Sequence, residues 1–389
     1  MCMVTNLPAE AKAKFVKYME AKTPEEKLRA LEEFLSAVPK HKGTENLVRW
    51  IRKRMAELRE EIEEQKRRRG GGKAPSFFIE KEGAAQIVLL GYTKVGKSSL
   101  LRVLTGARVE VTDYPYATQI PVPGMLQYED VQFQLVEAPS LIPGGGGWNT
   151  RVIGLGKNSD GIALVLDLSQ DPVESFKAIV KELQEHGLYL VKPRGYVVIE
   201  KKRGTMGVRI VNYGKLLCAP EDVIKLLNSY RIYNAVVKVY GEVDLNDVEM
   251  SIYENVIYKP TIILANKVDL PNAVESLKEL MKVVPENIPI IPVSALKRIN
   301  LDKIGPTLFK VLDLIRVYTK PPLGEPSKKP LVLKRGSTVL DVAKAIHSEL
   351  VEKFLYARIW GPSAKYPGQR VGLDHILKDG DIVEINLRK

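Results

Sequence analysis

The chain has 389 residues, 45% of them hydrophobic and 27% charged, with a formal net charge of +12. That composition excludes a disordered or fibrous polymer and leaves room for two or three domains with proper cores. No apolar run reaches the roughly 18–20 residues that span a bilayer. Two cysteines, Cys2 and Cys218, are too few for a disulfide framework or a structural zinc site, and the four histidines lack ligand spacing. Met1–Asn6 lacks the charged-then-apolar plan of a signal peptide, so a cytoplasmic protein with no membrane partner is expected. Residues 1–73 carry 18 Lys and Arg against 12 Asp and Glu, and residues 328–389 carry 12 against 7. Residues 74–327 carry 29 against 28. A near-neutral centre between basic ends suggests flanking modules that meet a polyanion, although solvated helix faces give the same count.

In chain order, residues 8–67 read as helices. Thr23-Pro24-Glu25-Glu26 is a capping box with Pro at the first helical position, opening an amphipathic stretch through Leu28, Leu31, Phe34 and Leu35. Thr44 can cap the next helix, whose Leu47, Ile51, Met55, Leu58 and Ile62 recur every three or four residues. The two suggest a helical hairpin, packed on itself or on the next domain. It ends in Lys66-Arg67-Arg68-Arg69 and Gly70-Gly71-Gly72, a flexible basic linker. The basic run is either a phosphate-backbone contact or a solvated helix end.

Next comes Gly91-Tyr92-Thr93-Lys94-Val95-Gly96-Lys97-Ser98, which fits G-x-x-x-x-G-K-[ST]. The apolar run Ala85–Leu90 before it reads as a buried strand and Ser99–Leu104 after it as a helix, the context that a phosphate-binding P-loop requires. Loop N–H groups and the helix N-terminus would wrap phosphates, Lys97 would reach the outer ones, and Ser98 would bind Mg²⁺. Residues 85–167 and 260–318 alternate strands and helices as in an α/β domain, with strands expected at Val131–Val136, Gly161–Leu166, Thr261–Ala265 and Ile288–Val293. The intervening stretch is too long for a structureless loop. It reads as a helix at Pro172–His186, a hairpin of Tyr196–Glu200 with Gly207–Val211, a helix at Pro220–Tyr230, a strand at Ala235–Tyr240 and a helix at Leu245–Glu254. After the stiff Lys320–Pro326 linker, strands at Leu331–Leu333, Tyr356–Trp360 and Ile382–Ile385 and a helix capped by Thr338 and Asp341 suit a small β-grasp fold.

Asn266-Lys267-Val268-Asp269 follows an apolar strand downstream of the P-loop. Asp269 can accept two N–H groups of guanine, a paired contact adenine cannot make. Asn266 would brace the loop, Lys267 would lie along the base, and Ser294-Ala295-Leu296 matches a second base-contacting loop. GTP or GDP is the expected ligand. Thr118 lies where the first switch is expected and is the candidate sensor of γ-phosphate and Mg²⁺. At the second switch the usual D-x-x-G is replaced by Glu137-Ala138-Pro139-Ser140, where Glu137 keeps a carboxylate for metal and Ser140 lacks glycine's freedom at positive φ. Leu141 follows, where many GTPases carry a water-orienting Gln.

With Tyr356–Tyr366, Gln369–Leu373 and Val317–Lys320 added to these motifs, nearly the whole chain resembles the developmentally regulated GTP-binding protein family of Obg-like GTPases. The resemblance implies an α/β fold: a P-loop GTPase domain with a small α/β insertion, an N-terminal helical hairpin and a C-terminal β-grasp (TGS) domain. The expected boundaries are 1–73 for the helical region and linker, 74–320 for the GTPase domain with its insertion at about 172–258, and 327–389 for the TGS domain. It also implies GTP hydrolysis and association with ribosomes or structured RNA, with a protein regulator conceivable and no DNA specificity evident. Carried over by position, Gly91, Val95, Gly96, Lys97, Ser98 and Ser99 become phosphate or Mg²⁺ contacts, and Thr118 the first-switch threonine. Asn266, Lys267, Asp269, Ser294, Ala295 and Leu296 become base contacts. Against the family pattern G-F-P-S-V-G-K-S-T, Lys94 replaces a small polar residue. In related GTPases that position can carry an Asn or Asp that helps hold a K⁺ ion; the Lys94 ammonium either takes that ion's place near the phosphates, or points to solvent, or pairs with a nearby acid. With the second switch altered too, the alternative to a GTPase is a scaffold that binds nucleotide and hydrolyses it weakly or not at all.

Overall fold

A computed structural model describes residues 7–39, 44–68, 77, 79–107, 120–192, 194–202, 207–253, 256–322, 324–347 and 349–388. The glycine linker at 70–72 and the first-switch stretch with Thr118 lie outside the described residues. The chain divides into two compact units: Met1–Ser76 with Leu141–Lys157 and Ala178–Lys259, and Phe77–Ser140 with Asn158–Lys177 and Pro260–Lys389.

The second of these holds the P-loop. Its six-stranded sheet runs, edge to edge, Ile290–Pro292, Thr261–Asn266, Gly161–Asp167, Ala85–Leu90, Val131–Glu137 and Val122–Tyr128. All pairings are parallel except the last. The three central strands are buried throughout, which is why they read as continuous apolar runs. The edge strand Val122–Tyr128 is only half-buried and carries Pro123 and Gly124, residues that hide a strand in sequence and that an edge tolerates. Register places Glu137 beside Leu89 and Asp167 beside Asn266, so the chemistry-bearing residues gather at the carboxyl ends of the strands.

A five-stranded sheet follows in the order Leu331–Lys334, Leu314–Thr319, Asp381–Leu387, Phe354–Trp360 and Gln369–Val371. It starts earlier than residue 327, because Leu314–Thr319 precedes the proline-rich linker. Leu314 packs into the P-loop domain's core, whereas Ile315 and Val317 pack into the C-terminal core with Val342, Ile359 and Val383. One strand therefore serves two cores. Arg316 on it pairs with Asp379 at 2.8 Å and with Glu129, and the Tyr318 hydroxyl donates to Asp130 at 2.5 Å.

The other unit begins with three helices, Ala9–Glu20, Pro24–Ala37 and Glu45–Arg68, one more than the expected hairpin. The Thr23 capping box is present: Thr23 accepts from the Glu26 N–H, and Glu26 accepts from the Thr23 N–H. Thr44 lies just before the third helix, with its hydroxyl donating to the Pro39 carbonyl. Within the insertion, Gly195–Lys201 and Val208–Asn212 do not form the expected hairpin. Ala235–Val243 lies between them, antiparallel to the first and parallel to the second. The reason is burial: Ala235, Val237 and Val239 are almost wholly enclosed, so this strand takes the centre. Helices Pro220–Ser229 and Leu245–Tyr253 belong to the same unit. Phe15, Leu31, Phe34, Ile51 and Leu58 from the N-terminal helices share one core with Val237, Val239, Tyr230 and Tyr253 of the insertion. No helix among the described residues is long and apolar enough to cross a membrane.

Phe15 is the hinge of that shared core, with ring centroids 5.2 Å from Phe34 and 4.9 Å from Tyr253. Phe15→Ala is expected to cost about 3–5 kcal/mol in chemical denaturation. Amide exchange should quicken both in Ala9–Glu20 and at Val237 and Val239; a response in the helix alone would contradict a common core.

Candidate functional site

The loop after Ala85–Leu90 takes its shape from two glycines. Gly91 has φ +156°, and a Cβ there would sit 2.6 Å from the Val165 carbonyl oxygen. Gly96 has φ +94°, and a Cβ would fall 2.3 Å from Asn266 Nδ2. Between them Lys94 also adopts a left-handed conformation, φ +62°, without being glycine. Its side chain is exposed, and no carboxylate pairs with it among the described residues.

Lys97 opens the helix Lys97–Thr105 and is only 4% exposed. Its ammonium donates to the carbonyls of Gly91 at 3.0 Å and Tyr92 at 2.7 Å, and to the Ser140 hydroxyl at 2.9 Å. Burial lowers its pKa to about 8, opposed by the attraction of Glu137. Next to it the Ser98 hydroxyl donates to Glu137 Oε1 at 2.5 Å. Glu137 and Ala138 are buried, and the Ala138 N–H donates to the Leu89 carbonyl, which anchors the start of the second-switch segment to the P-loop strand. Ser99 is half-buried on the same helix.

Asn266 joins this loop to the far end of the sheet. Its Nδ2 donates to the Val95 carbonyl at 2.9 Å, and its Oδ1 accepts from the Ala295 N–H at 3.2 Å. Val95 thus enters the site through its main chain, while its side chain is buried. Lys267, at φ +66°, pairs with Asp167 at 2.5 Å, and Asp167 also accepts from the Ser169 N–H and hydroxyl. Asp269 is half-buried two residues on. Ser294 is buried and its hydroxyl accepts from the Lys297 N–H, whereas Leu296 is 83% exposed and projects outward. Asp167 escaped the sequence reading; its signal was a carboxylate ending the otherwise apolar run Gly161–Leu166.

Ser98 and Glu137 supply two hard oxygen donors side by side, the donor type Mg²⁺ takes. No three His, Cys, Asp or Glu side chains cluster as a metal cage among the described residues, so Mg²⁺ would complete its shell with phosphate and water oxygens. Thr118, the third expected metal contact, lies outside the described residues.

Residues 86–202 match the family described as a 50S ribosome-binding GTPase, residues 205–314 the C-terminal region of the MMR_HSR1 domain, and residues 315–386 the TGS domain. The chain is 36% identical over 372 residues to an uncharacterized GTP-binding protein of Methanocaldococcus jannaschii, covering 94% of this chain and 93% of that one. It is 32% identical to developmentally-regulated GTP-binding protein 1 of Xenopus laevis, covering 91% and 96% of the two chains. Identity is also 32% to ribosome-interacting GTPase 1 of Saccharomyces cerevisiae, covering 93% and 99%.

The buried ammonium sets a pH dependence. Between pH 8 and the ordinary lysine value of 10.5, the unfolded chain holds this proton and the folded chain does not. Stability from Lys97 is therefore lacking below pH 8 and grows as pH rises toward 10, by about 2 kcal/mol. Denaturation of nucleotide-free protein at pH 8 and pH 10 should show this gain in wild type and not in Lys97→Met; equal slopes would contradict it.

Proposed function

The chain belongs to the developmentally regulated GTP-binding protein family, and we propose that it is a ribosome- or RNA-associated GTPase that hydrolyses GTP to GDP and phosphate. The observation that carries this reading is the Asn266 junction, where one side-chain amide ties the P-loop at Val95 to the Ser294–Leu296 loop. Asp269 would accept the guanine N–H pair, with Lys267 aligned by Asp167. The N–H groups of Gly91–Ser98 and the helix N-terminus would receive the phosphates, with Lys97 neutralising the outer ones. Ser98, Glu137 and Thr118 would hold Mg²⁺, which would offset the negative charge of the phosphates. The basic N-terminal and C-terminal ends would meet RNA, in keeping with the name of the yeast relative.

Two observations favour the second reading, a nucleotide-binding scaffold of weak or no turnover. Ser140 takes one of the three hydrogens of Lys97, so an incoming phosphate would compete with it. Leu141 offers no group to orient water. Single-turnover hydrolysis with and without ribosomes separates the readings: the expected outcome is slow turnover that ribosomes accelerate. Measurable GTP affinity with no turnover in either condition would select the scaffold.

Lys94 adds a cation test. Its exposed position on the loop lets the ammonium swing toward phosphate charge. Nucleotide binding and turnover are expected to be equal in K⁺ and Na⁺ at matched ionic strength; strong stimulation by K⁺ would remove Lys94 from this role.

A further inference from the structure

The insertion sheet has two unlike faces. Ala235, Val237 and Val239 turn into the core with Val197, Ile199, Val208 and Ile210. Alternation sends Tyr240, Lys238, Tyr196, Arg209 and Tyr213 to the other side. There Tyr196 and Tyr240 are register partners, with rings stacked at 4.7 Å and 10°. Tyr213, fixed by its N–H donating to the Val239 carbonyl, stacks on Tyr240 at 5.1 Å and 13°. The three rings form a ladder across the strands, and its last member, Tyr213, is 63% exposed.

The segment that carries the ladder is basic in sequence. Residues 192–242 carry 10 Lys and Arg against 4 Asp and Glu. Two of those acids are already engaged, Glu200 with Lys238 at 2.5 Å and Glu242 with Arg194. Arg209, on the tyrosine side, has no carboxylate partner among the described residues. Parallel aromatic rings that end in an open face, with Arg209 on the same side, suit an unpaired nucleotide: the base extends the stack and the guanidinium meets its phosphate. A protein ligand would draw on the rings but leave the excess positive charge unmatched.

We propose that the insertion sheet is a stacking platform for single-stranded RNA, with Tyr213 as the ring that receives a base. The proposal rests on the RNA-association reading above and gives it a site distinct from the basic termini. Base–aromatic stacking tolerates any base, so the platform selects unpaired strands and not a sequence.

The test uses the full chain and a labelled oligouridylate of about ten nucleotides, with binding followed by fluorescence anisotropy and GDP affinity as the control for folding. Tyr213→Ala is expected to weaken oligonucleotide binding about tenfold and to leave GDP affinity unchanged. Tyr213→Phe, which keeps the ring, should bind as wild type does. Unchanged RNA affinity in Tyr213→Ala overturns the platform and leaves the face to a protein ligand, and so does a loss in Tyr213→Phe as large as that in Tyr213→Ala. Co-sedimentation with ribosomes tells the two failures apart. Wild type that binds ribosomes but no oligonucleotide loses only the platform, whereas wild type that binds neither loses the RNA reading as well.

Discussion

A lysine ammonium held almost entirely out of water is the constraint on which the site depends. Removing that charge from solvent is costly, and the protein offsets the cost with three acceptors at hydrogen-bond distance, two carbonyls and one hydroxyl. The Gly91 carbonyl can be among them because Gly91 adopts a backbone conformation closed to side chains, pressed against Val165. The third acceptor comes from Ser140, 43 residues away along the chain. The departure from glycine at this position thus does something that glycine cannot: it binds the second-switch segment to the P-loop lysine through a side chain. Loop and switch are coupled by the need to satisfy one buried charge.

What could be read in the sequence was what is local. The P-loop announced itself because its glycines, lysine and strand–helix flanks lie within some twenty residues. Asn266–Asp269 did so because it ends an apolar strand. The contacts that assemble these pieces were not legible: Asn266 to Val95 spans 171 residues and Lys267 to Asp167 spans 100. Nor was the order of strands. A local pattern shows that Tyr196–Glu200 and Gly207–Val211 are extended, but which strand lies between them is decided by the burial of Ala235, Val237 and Val239. For the same reason Leu314–Thr319 read as the end of one domain, although its alternate side chains divide between two cores.

The boundary between the two compact units falls between Ser140 and Leu141, within the altered switch itself. Just beyond it, Asn149 clasps the main chain of Ile142, accepting from its N–H at 3.0 Å and donating to its carbonyl at 2.7 Å. The same amide donates to Glu182 at 3.1 Å. Ser140 is therefore tied to the buried lysine, and Ile142, two residues later, is tied to Asn149.

Charge teaches a related lesson about scale. Residues 74–327 sum to nearly zero, which on composition alone assigns polyanion contacts to the two ends. Ions in solution screen charges beyond about 8–10 Å, so a ligand senses the face it touches and not the domain average. Inside the neutral stretch, the 192–242 segment is strongly basic, and its acids Glu200 and Glu242 lie paired beside its cations. The strand alternation that buries one set of side chains also gathers three tyrosines and Arg209 on the opposite side. Composition cannot express that gathering, because it is produced by register. A face can be a binding surface within a domain whose net charge is nil.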